Sequence, residues 1–155
     1  MSEPGRLLGV DHGKVRVGLA VSDPERRLAS PLQTYARRGK EEDAGFFREL
    51  ATEEKIVQIV VGLPAHLDGR EGEQARLCRA FGAWLGEVTG LPVVYFDESF
   101  TTHDAEQHLL AAGLTSKKRK ARRDRVAAQI LLQAYLDAGC PAENGPGPHD
   151  DAPQE

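Results

Sequence analysis

Residues 6–23 contain two short runs, "RLLGVDH" and "KVRVGLAVSD", rich in β-branched residues and separated by Gly13. In the second run Val15, Val17, Leu19 and Val21 alternate with Arg16, Gly18 and Ala20. A period of two places alternate side chains on opposite faces of a strand, so the pair is expected to form a β-hairpin. "LASPLQTYAR" predicts a third strand, with Pro31 near a sheet edge because proline has no N–H to give a ladder. The period then changes. In "KEEDAGFFRELATEEK" the residues Phe46, Phe47, Leu50 and Ala51 recur at helical spacing behind an acidic first turn. "IVQIVVGLP" is a fully apolar strand stopped by Gly62 and Pro64, and "HLDGREG" is a loop. "EQARLCRAFGAWLGEVTG" carries Leu77, Phe81, Trp84, Leu85 and Val88 on one stripe and stops at Gly90, a second helix. "LPVVYFDE" predicts a fifth strand. "TTHDAEQHLLAAG" predicts a short helix in which Thr101 and Asp104 resemble a capping box, and "RDRVAAQILLQAYLDAG" the last helix.

Three strands precede the first helix, and strands four and five are each reached through a helix. Such connections ask for parallel pairing by right-handed crossovers, whereas the short links among the first three strands allow antiparallel pairing. The expected fold class is therefore α/β: a five-stranded mixed β-sheet, with three N-terminal antiparallel strands and two parallel ones, flanked by helices. Residues 1–140 are expected to form a single domain, which suits a chain of 155 residues. "PAENGPGPHDDAPQE", with four prolines and no large apolar residue, offers too little to bury, so 141–155 is expected to be a disordered tail.

Composition narrows the class. A hydrophobic content of 40% with 28% charged residues suits a globular protein. The apolar runs are far short of the roughly 20 residues of a membrane helix, and no membrane partner is expected. "MSEPGR" lacks the basic-then-apolar pattern of a signal peptide. Cys78 and Cys140 have no metal-binding spacing and read as reduced thiols in a cytoplasmic protein. The net charge is −4, but residues 117–125, "KKRKARRDR", hold seven basic residues and one acidic one. A third of the positive charge thus sits in nine residues of an otherwise acidic chain. Cations at a helix start oppose the helix dipole, so something should offset the cost, and a polyanion responds to the local field rather than to the sum. Lys117, Lys118, Arg119, Lys120, Arg122 and Arg123 are therefore expected to hold phosphates.

In open α/β sheets the working site lies beyond the carboxyl ends of the strands. Asp11 ends strand one, Asp97 and Glu98 end strand five, and Asp124 shares a helical face with Ala127, Ala128 and Leu131. Three chain-distant carboxylates can thus meet at one rim. Grouped carboxylates repel unless a cation neutralises them, and oxygen-only ligands point to a hard divalent ion, Mg²⁺ or Mn²⁺. One such ion, or two as a clamp on a phosphodiester, would serve hydrolysis. On this reading the glycines at 9, 13 and 18 let a phosphate backbone approach the sheet end.

The segments "GVDHGKVRVGLAVSD", "IVVGLPAHLDGREG", "VVYFDESFTTHDAE" and "RRDRVAAQILLQAYLD" resemble, in that order, four motifs of the YqgF/RuvX family, over Leu7 to Asp137. The resemblance implies an RNase H-like fold and catalytic, metal-binding acids at Asp11, Glu98 and Asp124. It implies a nuclease processing the 5′ end of pre-16S rRNA, or alternatively a Holliday junction resolvase acting on branched DNA. The chain departs from the family pattern twice. Val15 replaces a Lys beside the retained Arg16, and Ser99 stands where an Arg is usual. Arg16 or the basic cluster would then hold the phosphate that Ser99 cannot. Two other classes compete: a nucleotide-binding ATPase, which needs a second domain of this kind, and a catalytically weak RNA-binding assembly factor.

Overall fold

The computed structural model describes residues 5–13, 15–64, 72–97 and 116–141, with the side chains of residues 116–121 outside that set. The expected helix at 101–113 and almost all of the expected tail lie outside the described residues. Five strands, β1 (Arg6–His12), β2 (Arg16–Ser22), β3 (Ala29–Ala36), β4 (Ile56–Leu63) and β5 (Val93–Asp97), form one sheet in the order β3-β2-β1-β4-β5. β1–β2 and β2–β3 pair antiparallel, and β1–β4 and β4–β5 pair parallel. This is the mixed sheet expected from the connection lengths. β3 is an edge strand, and its register shifts where Pro31 meets Ala20, as a residue without an N–H demands.

Three described helices, α1 (Lys40–Glu53), α2 (Glu73–Thr89) and α3 (Ser116–Asp137), cover the two faces. The alternation along β1 decides which residue meets which helix. Leu8 and Val10 join Val17, Leu19, Ile59 and Val61 in a core completed by Phe47 of α1 and Phe81 and Leu85 of α2. Leu7 joins Ala20, Val60 and Phe96 in a second core completed by Ala128, Leu131, Leu132 and Tyr135 of α3. Each fully buried Leu or Val contributes about 1.5–3 kcal/mol, so these two cores carry the fold.

Two expectations need correction. The last helix starts at Ser116, not at Arg123, so the basic segment forms its opening turns. Helical propensity explains this, because Lys and Arg are good helix formers and outweigh the dipole penalty over a 22-residue helix. The glycines also have a different purpose. A Cβ on Gly18 would run into the backbone carbonyl of Asp124, and one on Gly9 would press on Leu132 and the carbonyl of Ala128. Both exist so that α3 can lie directly on the hairpin. Gly13 closes the turn, where a Cβ would strike the Arg16 carbonyl. Side chains of α3 then tie down the edge strand: Gln133 Oε1 accepts from the Ala29 N–H at 2.8 Å, and Gln129 Nε2 donates to the Ala29 carbonyl at 3.2 Å.

Candidate active site

Asp11 stands opposite Gly18 in the β1–β2 register, on the face that meets α3. Paired residues on one face of an antiparallel ladder have Cβ atoms about 5 Å apart, and the place of the missing Gly18 Cβ is taken by the Asp124 backbone. Asp11 and Asp124, 113 positions apart in the chain, therefore leave from adjoining points at the carboxyl end of β1. The sequence brings them together through a glycine: without a side chain at 18, the helix carrying Asp124 settles against the strand pair carrying Asp11.

Arg16 completes the arrangement. Its Nε donates to Asp124 Oδ2 at 2.7 Å, with the two side chains 36% and 21% exposed. Arg16 lies one strand-step along from Gly18 on the same face. A partly exposed pair of this kind is worth about 0–1 kcal/mol, less than one buried leucine, so its effect is to orient Asp124 rather than to hold the fold. Asp97 takes the other side. It shares a strand face with Val93 and Tyr95, which pack on the α1–α2 core, whereas Phe96 faces α3. Glu98 and Ser99 lie outside the described residues. Of the expected phosphate-binding cations, Arg122 and Arg123 are exposed on α3, while the side chains of Lys117, Lys118, Arg119 and Lys120 lie outside the described set.

The opposite face of the same rim carries a feature that motif reasoning does not reach. His12 follows Asp11 and so points to the α2 side, where its ring lies 4.6 Å from that of Phe81. Arg37 lies over Phe81 at 5.0 Å and within 3.2 Å of His12 Nε2. Burial first, and then the Arg37 charge, hold His12 below its ordinary pKa, so the ring is neutral near pH 7. Arg37 is itself placed by Asp43, which is buried and accepts from the Tyr35 hydroxyl at 2.7 Å and the Arg38 N–H at 3.0 Å. The signal available in the sequence is the alternation of β1, which sends consecutive polar residues, Asp11 and His12, to opposite faces.

The donor set suits a hard divalent cation. Asp11 and Asp124 offer oxygen only, and the Asp124 carboxylate already draws a cationic group. Among the described residues no group of three or more potential ligands gathers, the third expected acid being Glu98.

A mixed sheet with acids at the end of its central strand and on the helix crossing it defines the RNase H-like class. Two solved structures share the architecture. They are Thermus thermophilus RuvC in complex with a Holliday junction substrate (TM-score 0.56, 16% identity, covering 87% of this chain and 96% of that one) and the fowlpox virus resolvase in complex with Holliday junction DNA (TM-score 0.55, 8% identity, 88% and 99%). The chain belongs to the RuvX family, whose model, described as Holliday junction resolvase, matches residues 5–138. Among similar sequences, a Rhodopirellula baltica protein named "Putative pre-16S rRNA nuclease" is 48% identical over 134 residues, 86% of this chain and 78% of that one. An Anaeromyxobacter dehalogenans protein of the same name is 42% identical over 136 residues, 88% and 99%.

Proposed function

We propose that this protein is a divalent-metal-dependent endonuclease acting on structured RNA, in the maturation of the 5′ end of pre-16S rRNA. The observation that carries the reading is the convergence of Asp11 and Asp124 across Gly18 at the end of the central strand. The naming of its relatives as pre-16S rRNA nucleases supports the RNA substrate. Asp11, Asp124 and Glu98 would hold Mg²⁺ or Mn²⁺, one ion or two. Bound there, the ion supplies a Lewis acid that lowers the pKa of water and neutralises charge on a phosphodiester. The chain's own part is positional. Asp11 and Asp124 are fixed by strand and helix backbone, and Arg16 keeps the Asp124 carboxylate turned to the rim. The basic opening turns of α3 bring phosphates to the same edge without reading sequence.

The second reading, a Holliday junction resolvase, is favoured by the family description and by the fold shared with two resolvases. The two are separated by incubating the protein with Mg²⁺ or Mn²⁺ on a precursor 16S rRNA end and on a four-way DNA junction side by side. Cleavage confined to the RNA supports the proposal. Cleavage confined to the junction replaces it with the second reading.

A further inference from the structure

On the face of the sheet away from Asp124, a cleft of about 380 Å³ opens between the end of β1, the start of α1 and the middle of α2. It is lined by His12, Arg37, Lys40, Ala80, Phe81 and Trp84. Its volume falls within the roughly 300–1,000 Å³ of pockets that hold small organic ligands. Its chemistry is divided. One wall is aromatic, with Phe81 and Trp84 stacked at 5.5 Å. The other is cationic, with Arg37 held in place by His12 and Asp43 and Lys40 beginning α1.

A flat π-system beside two cations matches a nucleotide, whose base stacks on aromatic and guanidinium planes while its phosphate takes the charge. The location supports the match. Asp11 and His12 are consecutive, with Cα atoms about 3.8 Å apart, and their side chains leave the sheet on opposite faces. A strand lying over the carboxyl rim at Asp11 would therefore continue directly into the cleft. We propose that this cleft is a nucleotide subsite that receives one unpaired nucleotide of the substrate strand beyond the cleavage rim, with its base against Trp84 and its phosphate against Arg37 and Lys40. Single-stranded character next to the cut would then be a substrate requirement imposed by the chain rather than by the acids. The inference rests on the nuclease reading for its substrate.

Trp84 is the only tryptophan of the chain, so its fluorescence reports on the cleft directly. The experiment titrates the full-length protein in EDTA with a short single-stranded RNA oligonucleotide and, separately, with a nucleoside monophosphate. The expected result is quenching by the oligonucleotide at concentrations well below those of the monophosphate. Lys40→Ala should weaken the oligonucleotide by about tenfold, the equivalent of one charge-assisted hydrogen bond. Ala80→Phe should abolish the quenching with little change in melting temperature, because Ala80 is exposed on α2 and its enlargement fills the cleft without entering the core. Absence of quenching by either ligand would overturn the proposal, as would quenching that survives Ala80→Phe. A response to the monophosphate alone would assign the cleft to free nucleotides and overturn the strand reading. Because the titration contains no metal, it stands or falls independently of whether the acids cleave.

Discussion

Arg16 and Asp124 are joined at 2.7 Å across 108 positions of the chain, at the point where α3 crosses the β1–β2 hairpin. Any cation taken up by Asp124 must share its carboxylate with this guanidinium. Arg16→Gln should therefore raise the affinity of the nucleic-acid-free protein for Mn²⁺, measured by calorimetry. Stability should change by no more than about 1 kcal/mol, as for other partly exposed pairs. An unchanged Mn²⁺ affinity would show that the guanidinium and the metal do not meet on this carboxylate.

Gly18 gives a sharper test of how the site is built. Gly18→Ala would place a methyl group on the Asp124 carbonyl, and overpacking of this kind costs about 1–3 kcal/mol or more. Cleavage should fall with stability, because α3 must lift and carry Asp124 with it. Gly45→Ala is the control. Gly45 lies exposed in α1 with nothing near its would-be Cβ, and the change should stabilise by about 0.5–1 kcal/mol. If Gly18→Ala melts as wild type does, the close approach of helix to hairpin is not as described.

Asp43 predicts a pH dependence. Burial alone would raise its pKa, but the Arg38 N–H, the Tyr35 hydroxyl and the Arg37 charge more than offset this and hold it below the ordinary carboxylate value. A depressed carboxylate stabilises the fold above its unfolded pKa, and that stability is lost as pH falls through the folded value. Asp43→Asn should therefore cost about 1–3 kcal/mol near pH 7, a difference that shrinks below about pH 4. The Tyr35 hydroxyl, pushed up to about 12 by burial and by its bond to Asp43, works at the other end. Its contribution is complete below about 10 and fades as pH rises towards 12. Urea melts of both proteins across pH check the signs, and a constant difference from acid to neutral pH would contradict them.

Much of this is legible in the chain. The sheet and its pairing follow from connection lengths, and the stop of the apolar run after Val10 places Asp11 near the carboxyl end of β1. What the sequence hides is long-range closeness. The glycines at 9 and 18 look like room for a phosphate, but helix packing fills that room, and only the fold shows that the occupant is α3. The start of α3 is obscured because a dense run of like charge reads as a boundary, whereas Lys and Arg extend a helix well. The cleft at His12 is invisible in the sequence because Arg37, Lys40 and Trp84 come from separate elements and share no motif.

The basic opening of α3 should set affinity rather than chemistry. Replacing Lys118, Arg122 and Arg123 by Ala should weaken binding to all nucleic acids alike. The slope of log K against log salt should also fall by about 0.7–0.9 for each phosphate no longer neutralised. Binding titrations at several salt concentrations measure both. A triple variant with wild-type affinity and slope would make this segment a solvated helix start.

Cleavage is expected to turn on Asp124. The decisive measurement is the single-turnover cleavage rate of a precursor 16S rRNA end by wild type and by Asp124→Asn in Mg²⁺ or Mn²⁺, with RNA affinity measured on the same samples. Asn keeps the shape of the side chain and removes a charge, so binding should hold or tighten while the rate falls by a factor of about 100 or more, the scale of losing a charge-stabilising group. Cleavage by Asp124→Asn at the wild-type rate, with affinity intact, would contradict the assignment of this helix and strand rim as the active site.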